Sequence, residues 1–250
     1  MRNLLETAAV AFAMYSKIPM PHVEWNEKNM RWCMCFFPLI GAVIGLLYVL
    51  WYDLCERCGW SWLLCSAGLT VIPLAVTGGI HMDGLLDTAD ALASWQDRER
   101  RLEIMKDSHT GAFAVIACGA YLVVYLGACS MLTDQTCLLA GVGFMLSRSL
   151  SGLAVVLFPK AKNSGLLRTF ADAAVRGRVM VVMTLWVCAV SAALIGLDLR
   201  RGTAMVLLAL LTFWWYYDMS RRQFGGITGD LAGFFLELCE CVLVLGAALV

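Results

Sequence analysis

The densest chemistry in the 250-residue chain lies in TGGIHMDGLLDTADAL, residues 77–92. Asp83, Asp87 and Asp90 stand at i, i+4 and i+7, so on a helix they share one face. Carboxylates on adjacent turns repel one another unless a cation sits among them. Oxygen donors at this density suit Mg2+ or Mn2+, which keep waters and bridge to substrate phosphates. The alternative is a solvated acidic face. Against it, Leu85, Leu86, Ala89, Ala91 and Leu92 make the segment amphipathic, so it packs at a membrane edge. His81, two residues before Asp83, is placed to act as a ligand or base, whereas His109 sits in a loop and is assigned no role.

A second acidic stretch, GGITGDLAGFFLELCE, covers 225–240. Gly225, Gly226 and Gly229 precede an apolar helix for which Thr228 or Asp230 can serve as N-cap. Backbone N–H groups at a glycine-rich helix start form a natural phosphate cradle. Asp230, Glu237 and Glu240 again share one face, and carboxylates that far along an apolar helix must face the bundle interior. Two readings remain open for the glutamates: catalysis, or structural pairing with Arg148. Lys160, Lys162 and Arg168, together with Arg221 and Arg222 before the glycine turn, are cations of the kind a phosphate site needs. Positive-inside topology alone would also collect them.

These side chains must be positioned by helices in lipid. The chain is 60% hydrophobic and 15% charged, with a mean hydropathy of +0.74. That composition excludes an ordinary soluble enzyme domain. Lys+Arg and Asp+Glu balance at 19 each, leaving no basic field to hold nucleic acid. The expected fold is an all-α, polytopic helical membrane protein, a single domain over 1–250. About seven stretches can span: 33–52, 61–79, 111–131, 137–158, 179–197, 203–218 and 231–250. An eighth stretch, 4–16, is interrupted by Glu6 and is expected as an interfacial or re-entrant helix ending before Pro19 and Pro21. With these spans, 15 Lys and Arg fall on one side and 3 on the other, with Arg148 inside a helix. The positive-inside rule puts the richer side, and with it the acidic stretches, in the cytoplasm. The chain's 11 cysteines lie mostly alone in apolar segments and read as packing residues, and the one C-x-x-C, Cys55/Cys58, is weak evidence for zinc.

Several blocks carry a family resemblance. GGIHMDGLLDTADAL, RLEIMKDSHTGAFAV at 101–115 and ITGDLAGFFLELCE resemble the cobalamin synthase (adenosylcobinamide-GDP ribazoletransferase) family. AFAMYSKIPMP at 11–21 and FPKAKNSGLLRTFAD at 158–172 are similar to it as well, so the likeness runs nearly end to end. The resemblance implies a Mg2+-dependent enzyme of the bacterial cytoplasmic (inner) membrane with its site on the cytoplasmic side. It would join adenosylcobinamide-GDP to α-ribazole or its 5′-phosphate, releasing GMP. A ribose hydroxyl attacks the phosphate attached to the cobinamide, and GMP leaves. On this reading Asp83, Asp87 and Asp90 hold Mg2+ against the diphosphate. Asp230, Glu237 and Glu240 supply a second metal or a base, and Lys106, Lys160 or Arg148 stabilise phosphate charge. Membrane lipid is an implied partner, and a homo-oligomer or an association with other cobalamin-assembly enzymes is compatible with it.

Two other classes compete. A CDP-alcohol phosphotransferase needs D-G-x-x-A-R, but Asp83-Gly84 is followed by Leu85-Leu86-Asp87-Thr88. A transporter would place its intramembrane charges near the midplane, whereas the polar density here collects at one face.

Overall fold

The computed structural model describes residues 2–23, 25, 27–30, 32–107, 109–161 and 176–250, and these form an all-α bundle. Lys162 and Arg168 lie outside the described residues. In chain order the helices are α1 (Arg2–Tyr15), α2 (Glu27–Met30), α3 (Phe37–Cys58, entered through a 3-10 turn at Cys33–Phe36), α4 (Trp62–Thr77), α5 (Ile80–Ala93) and α6 (Arg98–Ile104). Then follow α7 (Ala112–Cys129), α8 (Asp134–Leu157), α9 (Arg176–Leu197), α10 (Leu199–Phe224) and α11 (Gly229–Leu249).

Among the described residues, five helical segments are long and apolar enough to cross a membrane: Cys33–Cys58, Ala112–Cys129, Asp134–Leu157, Arg176–Leu197 and Gly229–Leu249. The pair Trp62–Thr77 and Ile80–Ala93 qualifies only jointly, as a broken span or re-entrant loop bent by 95°. α10 runs for 26 residues, but Arg200, Arg201, Asp218, Arg221 and Arg222 crowd its ends and leave a short apolar middle. The seven expected spans thus correspond to five full-length helices, one broken pair and one long helix with polar ends. α1 matches the eighth stretch and stops at Tyr15, where the Ser16 hydroxyl donates to the Phe12 carbonyl at 2.7 Å.

Helix starts are set by short polar side chains. Ser61, Thr133, Asp198 and Thr228 each accept a hydrogen bond from the backbone three residues on. Outward faces are apolar, with Leu50, Ile116, Val123, Leu185 and Leu211 all exposed, as a lipid-facing surface requires. In lipid, helices associate through close packing between small residues. α3 and α8 do so: a Cβ on Gly41 would lie 2.3 Å from the Phe144 carbonyl oxygen, and one on Gly45 would lie 2.3 Å from that of Gly141. α8 is buried along most of its length and forms the axis of the bundle.

Candidate active site

The site begins at a break. Gly78 and Gly79 both have positive φ, 66° and 78°, a conformation that costs glycine little and other residues much. They end α4 and turn α5 across the end of the bundle onto α11. A Cβ on Gly84 would sit 2.4 Å from the Asp230 carbonyl oxygen, and one on Gly233 would lie 3.0 Å from that of His81. The two helices therefore touch backbone to backbone, antiparallel. That contact brings Asp83 and Asp87, one turn apart on α5, beside Asp230 in the first turn of α11. Asp87 lies within electrostatic reach of Asp83, Asp230 and, more weakly, Asp90.

Asp90 faces elsewhere. Its two carboxylate oxygens accept hydrogen bonds from the backbone N–H groups of Gly111, at 2.6 Å, and Ala114, at 2.8 Å. α7 has no side-chain cap of its own at Gly111, so Asp90 caps it from a different helix. The acidic face of α5 is divided between Asp83 and Asp87, turned towards α11, and Asp90, bound to α7. Among the described residues no group of three or more His, Cys, Asp and Glu side chains is arranged to hold a metal ion.

A cavity of about 260 Å³ opens at the α5–α11 crossing. Asp83, Asp230 and Gly229 line it together with His81 and Ser151, and the remaining wall is apolar. Depth orders these groups: Asp83 is exposed, Asp230 half-buried, and His81 and Ser151 buried. His81 Nε2 is buried without a hydrogen-bond partner.

Glu237 and Glu240 lie further along α11 and do not line this cavity. The Tyr121 hydroxyl donates to Glu237 Oε2 at 2.5 Å. Glu240 Oε1 accepts from Arg148 Nη1 at 2.7 Å and from the Ser147 hydroxyl at 3.3 Å. Arg148 is fully buried, with its guanidinium 5.9 Å from the ring centroids of both Phe37 and Phe144. Of the two readings left open for the glutamates, structural pairing is the one that Glu240 adopts.

The glycine turn before α11 serves the chain path. Gly225, at φ 81°, closes α10. A Cβ on Gly226 would meet the Pro159 carbonyl oxygen at 2.4 Å, because residues 159–161 cross here. The Ile227 N–H donates to Pro159 O at 2.8 Å and the Ala161 N–H to Ile227 O at 3.1 Å, pinning Lys160 beside the turn. Thr228 caps α11 through the Leu231 N–H at 3.1 Å, and of the four turn residues named from the sequence only Gly229 borders the cavity. Lys106 is exposed just beyond α6. Near it, the His109 ring, with Nδ1 2.7 Å from Asp107 Oδ1, holds the Asp107 carboxyl below its usual range.

The arrangement can hold a cation-bound phosphate beside a buried organic group. Residues 7–248 match the family described as cobalamin-5-phosphate synthase. The chain belongs to this family. A relative from Lachnoclostridium phytofermentans, named adenosylcobinamide-GDP ribazoletransferase, is 45% identical over 98% of this chain and 94% of its own length. Proteins of the same name from Pseudomonas fluorescens and Clostridium botulinum (strain Alaska E43) are 35% and 31% identical, over 96% and 100% of this chain and 98% and 99% of their own lengths. No solved structure matches the chain.

In this cobalamin-5-phosphate synthase family member, several site residues carry no signal in the sequence. Tyr15, Phe37 and Ser151 border the cavity from three other helices or their ends, and nothing in their local spacing marks them. Arg98 on α6 meets Asp218, Arg221 and Arg222 at the end of α10 around a groove of about 360 Å³, with Arg98 Nη2 3.5 Å from the Arg221 carbonyl oxygen and Arg222 Nε 2.7 Å from Asp218 Oδ1. Basic clustering near the second glycine turn is readable in the sequence only for Arg221 and Arg222.

Proposed function

We propose that this chain joins adenosylcobinamide-GDP to α-ribazole or its 5′-phosphate, forming adenosylcobalamin or its 5′-phosphate and releasing GMP. The observation that carries this reading is the meeting of Asp83 and Asp230 at an apolar cavity, with Asp87 within electrostatic reach of both, in a chain whose relatives bear that activity's name.

The donor set suits Mg2+. All three side chains offer oxygen, and among the described residues no Lys or Arg borders the cavity. Mg2+ takes one or two carboxylates and completes its shell with waters and substrate phosphates, so an enclosed three-residue cage is not required. Asp83 and Asp87 would hold the ion. When bound, it supplies positive charge against the diphosphate and the departing GMP. Asp230, bordering the cavity across from Asp83, accepts the proton of the attacking ribose hydroxyl. Arg98 and Arg221, beside the Asp218–Arg222 ion pair, offer a cationic edge to the guanosine phosphate. Glu237 and Glu240, each with its own partner, hold α11 against α7 and α8 so that Asp230 stays in register.

The charge asymmetry of the chain supports a cytoplasmic position for this end of the bundle, with the helices crossing the inner membrane of a bacterium and lipid covering their apolar faces. The test uses purified protein in detergent, supplied with adenosylcobinamide-GDP and α-ribazole with and without Mg2+, and follows GMP release and cobalamin formation. Mg2+-dependent product supports the reading. No product from folded protein with either form of ribazole overturns it.

A further inference from the structure

We propose that the cavity at the α5–α11 crossing binds the flat heteroaromatic base of the ribazole acceptor, with the ribose at the mouth. This rests on the transferase reading above and adds which substrate occupies this space. Size argues first. At about 260 Å³ the cavity falls just below the range of about 300–1,000 Å³ that holds drug-sized ligands. A bicyclic base fits; a corrin macrocycle does not.

The lining argues second. Tyr15 and Phe37 form an aromatic corner, their ring centroids 4.6 Å apart, and Met34, Val155 and Leu236 complete an apolar wall. Offset and edge contacts with aromatic rings, and sulfur against a ring edge, suit a planar apolar bicycle. Guanine carries more donors and acceptors than a benzimidazole, and Met34, Phe37, Val155 and Leu236 offer them no partner. A diphosphate suits the mouth, beside Asp83 and the ion that it would hold, and not the apolar interior. Neither part of the nucleotide suits the interior.

The third argument is a single polar atom. His81 is buried in this wall, with Phe37 edge-on to its ring at 6.1 Å, and its Nε2 has no partner. A buried polar atom without a partner calls for an explanation. A ribazole base is joined to ribose through one ring nitrogen and keeps a second with a free lone pair. His81 Nε2–H donates to that nitrogen. The ribose then points out towards Asp83 and Asp230, where its hydroxyl must be deprotonated. Ser151, buried on the α8 side, borders the same inner end.

The experiment is steady-state kinetics on purified protein with each substrate varied in turn, using ribosides whose benzimidazole carries no, one or two methyl groups. In Val155→Phe, which fills the apolar wall, KM for the dimethyl riboside should rise by about tenfold, while KM for adenosylcobinamide-GDP stays unchanged and the unsubstituted riboside becomes preferred. His81→Ala should raise the ribazole KM by a similar factor, and His81→Gln, which restores an N–H donor, should recover part of it. Equilibrium binding of α-ribazole alone to wild type and to both His81 variants reads the same effect without turnover, and it serves if Val155→Phe does not fold. An unchanged ribazole KM in folded Val155→Phe, or a rise confined to adenosylcobinamide-GDP, overturns the assignment while leaving the transferase reading intact. Ribazole binding that depends on His81 in a protein without transferase activity would overturn that reading and keep the subsite.

Discussion

Asp83 and Asp90 look alike in the sequence, and the structure gives them different work. Asp83 is exposed at a cavity mouth, whereas Asp90 spends both oxygens on the N–H groups of Gly111 and Ala114. Asp83→Asn should leave the thermal unfolding midpoint unchanged and reduce GMP release by about a hundredfold or more. Asp90→Ala should lower stability by about 1–2 kcal/mol, the cost of an uncapped helix start, and any activity lost should return as temperature is lowered. Melting curves and rates measured on the same preparations separate the two roles. The spacing of Asp83, Asp87 and Asp90 is readable from the chain, but it reports only a shared helix face. It cannot report that another helix begins 21 residues later against one end of that face. Arg148 and Glu240 illustrate the same limit more favourably. An arginine and a glutamate in separate apolar segments invite pairing, and they meet at 2.7 Å. Arg148→Met leaves Glu240 buried and unpaired, so it should destabilise by about 3–5 kcal/mol, and Arg148→Met with Glu240→Leu should recover most of that loss. Thermal unfolding in detergent, on the single and double variants, checks both statements.

At the scale of elements, the crossing of α5 and α11 does more for the site than any single ligand. Its closeness depends on Gly84 and Gly233, and a methyl group at Gly84 would drive the Asp230 backbone away. Gly84→Ala should therefore cost about a hundredfold or more in turnover through displaced carboxylates, even where helical content is preserved. Gly119→Ala, at an exposed position on α7 where nothing lies within 4 Å, should be neutral or gain a fraction of about 1 kcal/mol in helix propensity. Circular dichroism and transferase rates on the pair distinguish loss of the crossing from a general penalty on glycine replacement. Apolar run length was enough to place α3, α7, α8, α9 and α11. It read 61–79 as one crossing, because hydropathy cannot see the two left-handed glycines that turn the chain by 95°. Between the stretches 61–79 and 111–131 lie two further helices that run length does not mark. α5 is amphipathic and α6 only seven residues long, so both fall below what a spanning-length window detects. Tyr15 and Phe37 are invisible for a related reason: a cavity wall assembled from five helices and a 3-10 turn leaves no periodicity in any one of them.

The whole molecule has an electrical polarity that its net charge of zero conceals. By sequence, fifteen of the Lys and Arg residues fall in segments assigned to one side, and among the described residues these include Arg98, Arg100, Arg101 and Lys106 on and after α6 and Arg221 and Arg222 before the turn to α11. The short turns at 59–61, 130–133 and 198 join helices at the opposite end. Such an asymmetry orients a multi-pass protein during insertion, because cytoplasmic loops retain the Lys and Arg. It also suits the chemistry, since a doubly charged nucleotide must approach from the side where nucleotides are held. Cys58, exposed at the C-terminal end of α3, marks the far side. In intact cells a membrane-impermeant maleimide should label Cys58 from outside, and Cys58→Ser should abolish that labelling. Glu99→Cys on α6, introduced into the Cys58→Ser background, should react only after the membrane is permeabilised. The reverse pattern would turn the bundle over, expose Asp83 and Asp230 to the exterior, and leave a nucleotide-dependent transferase with its site on the wrong side of the membrane.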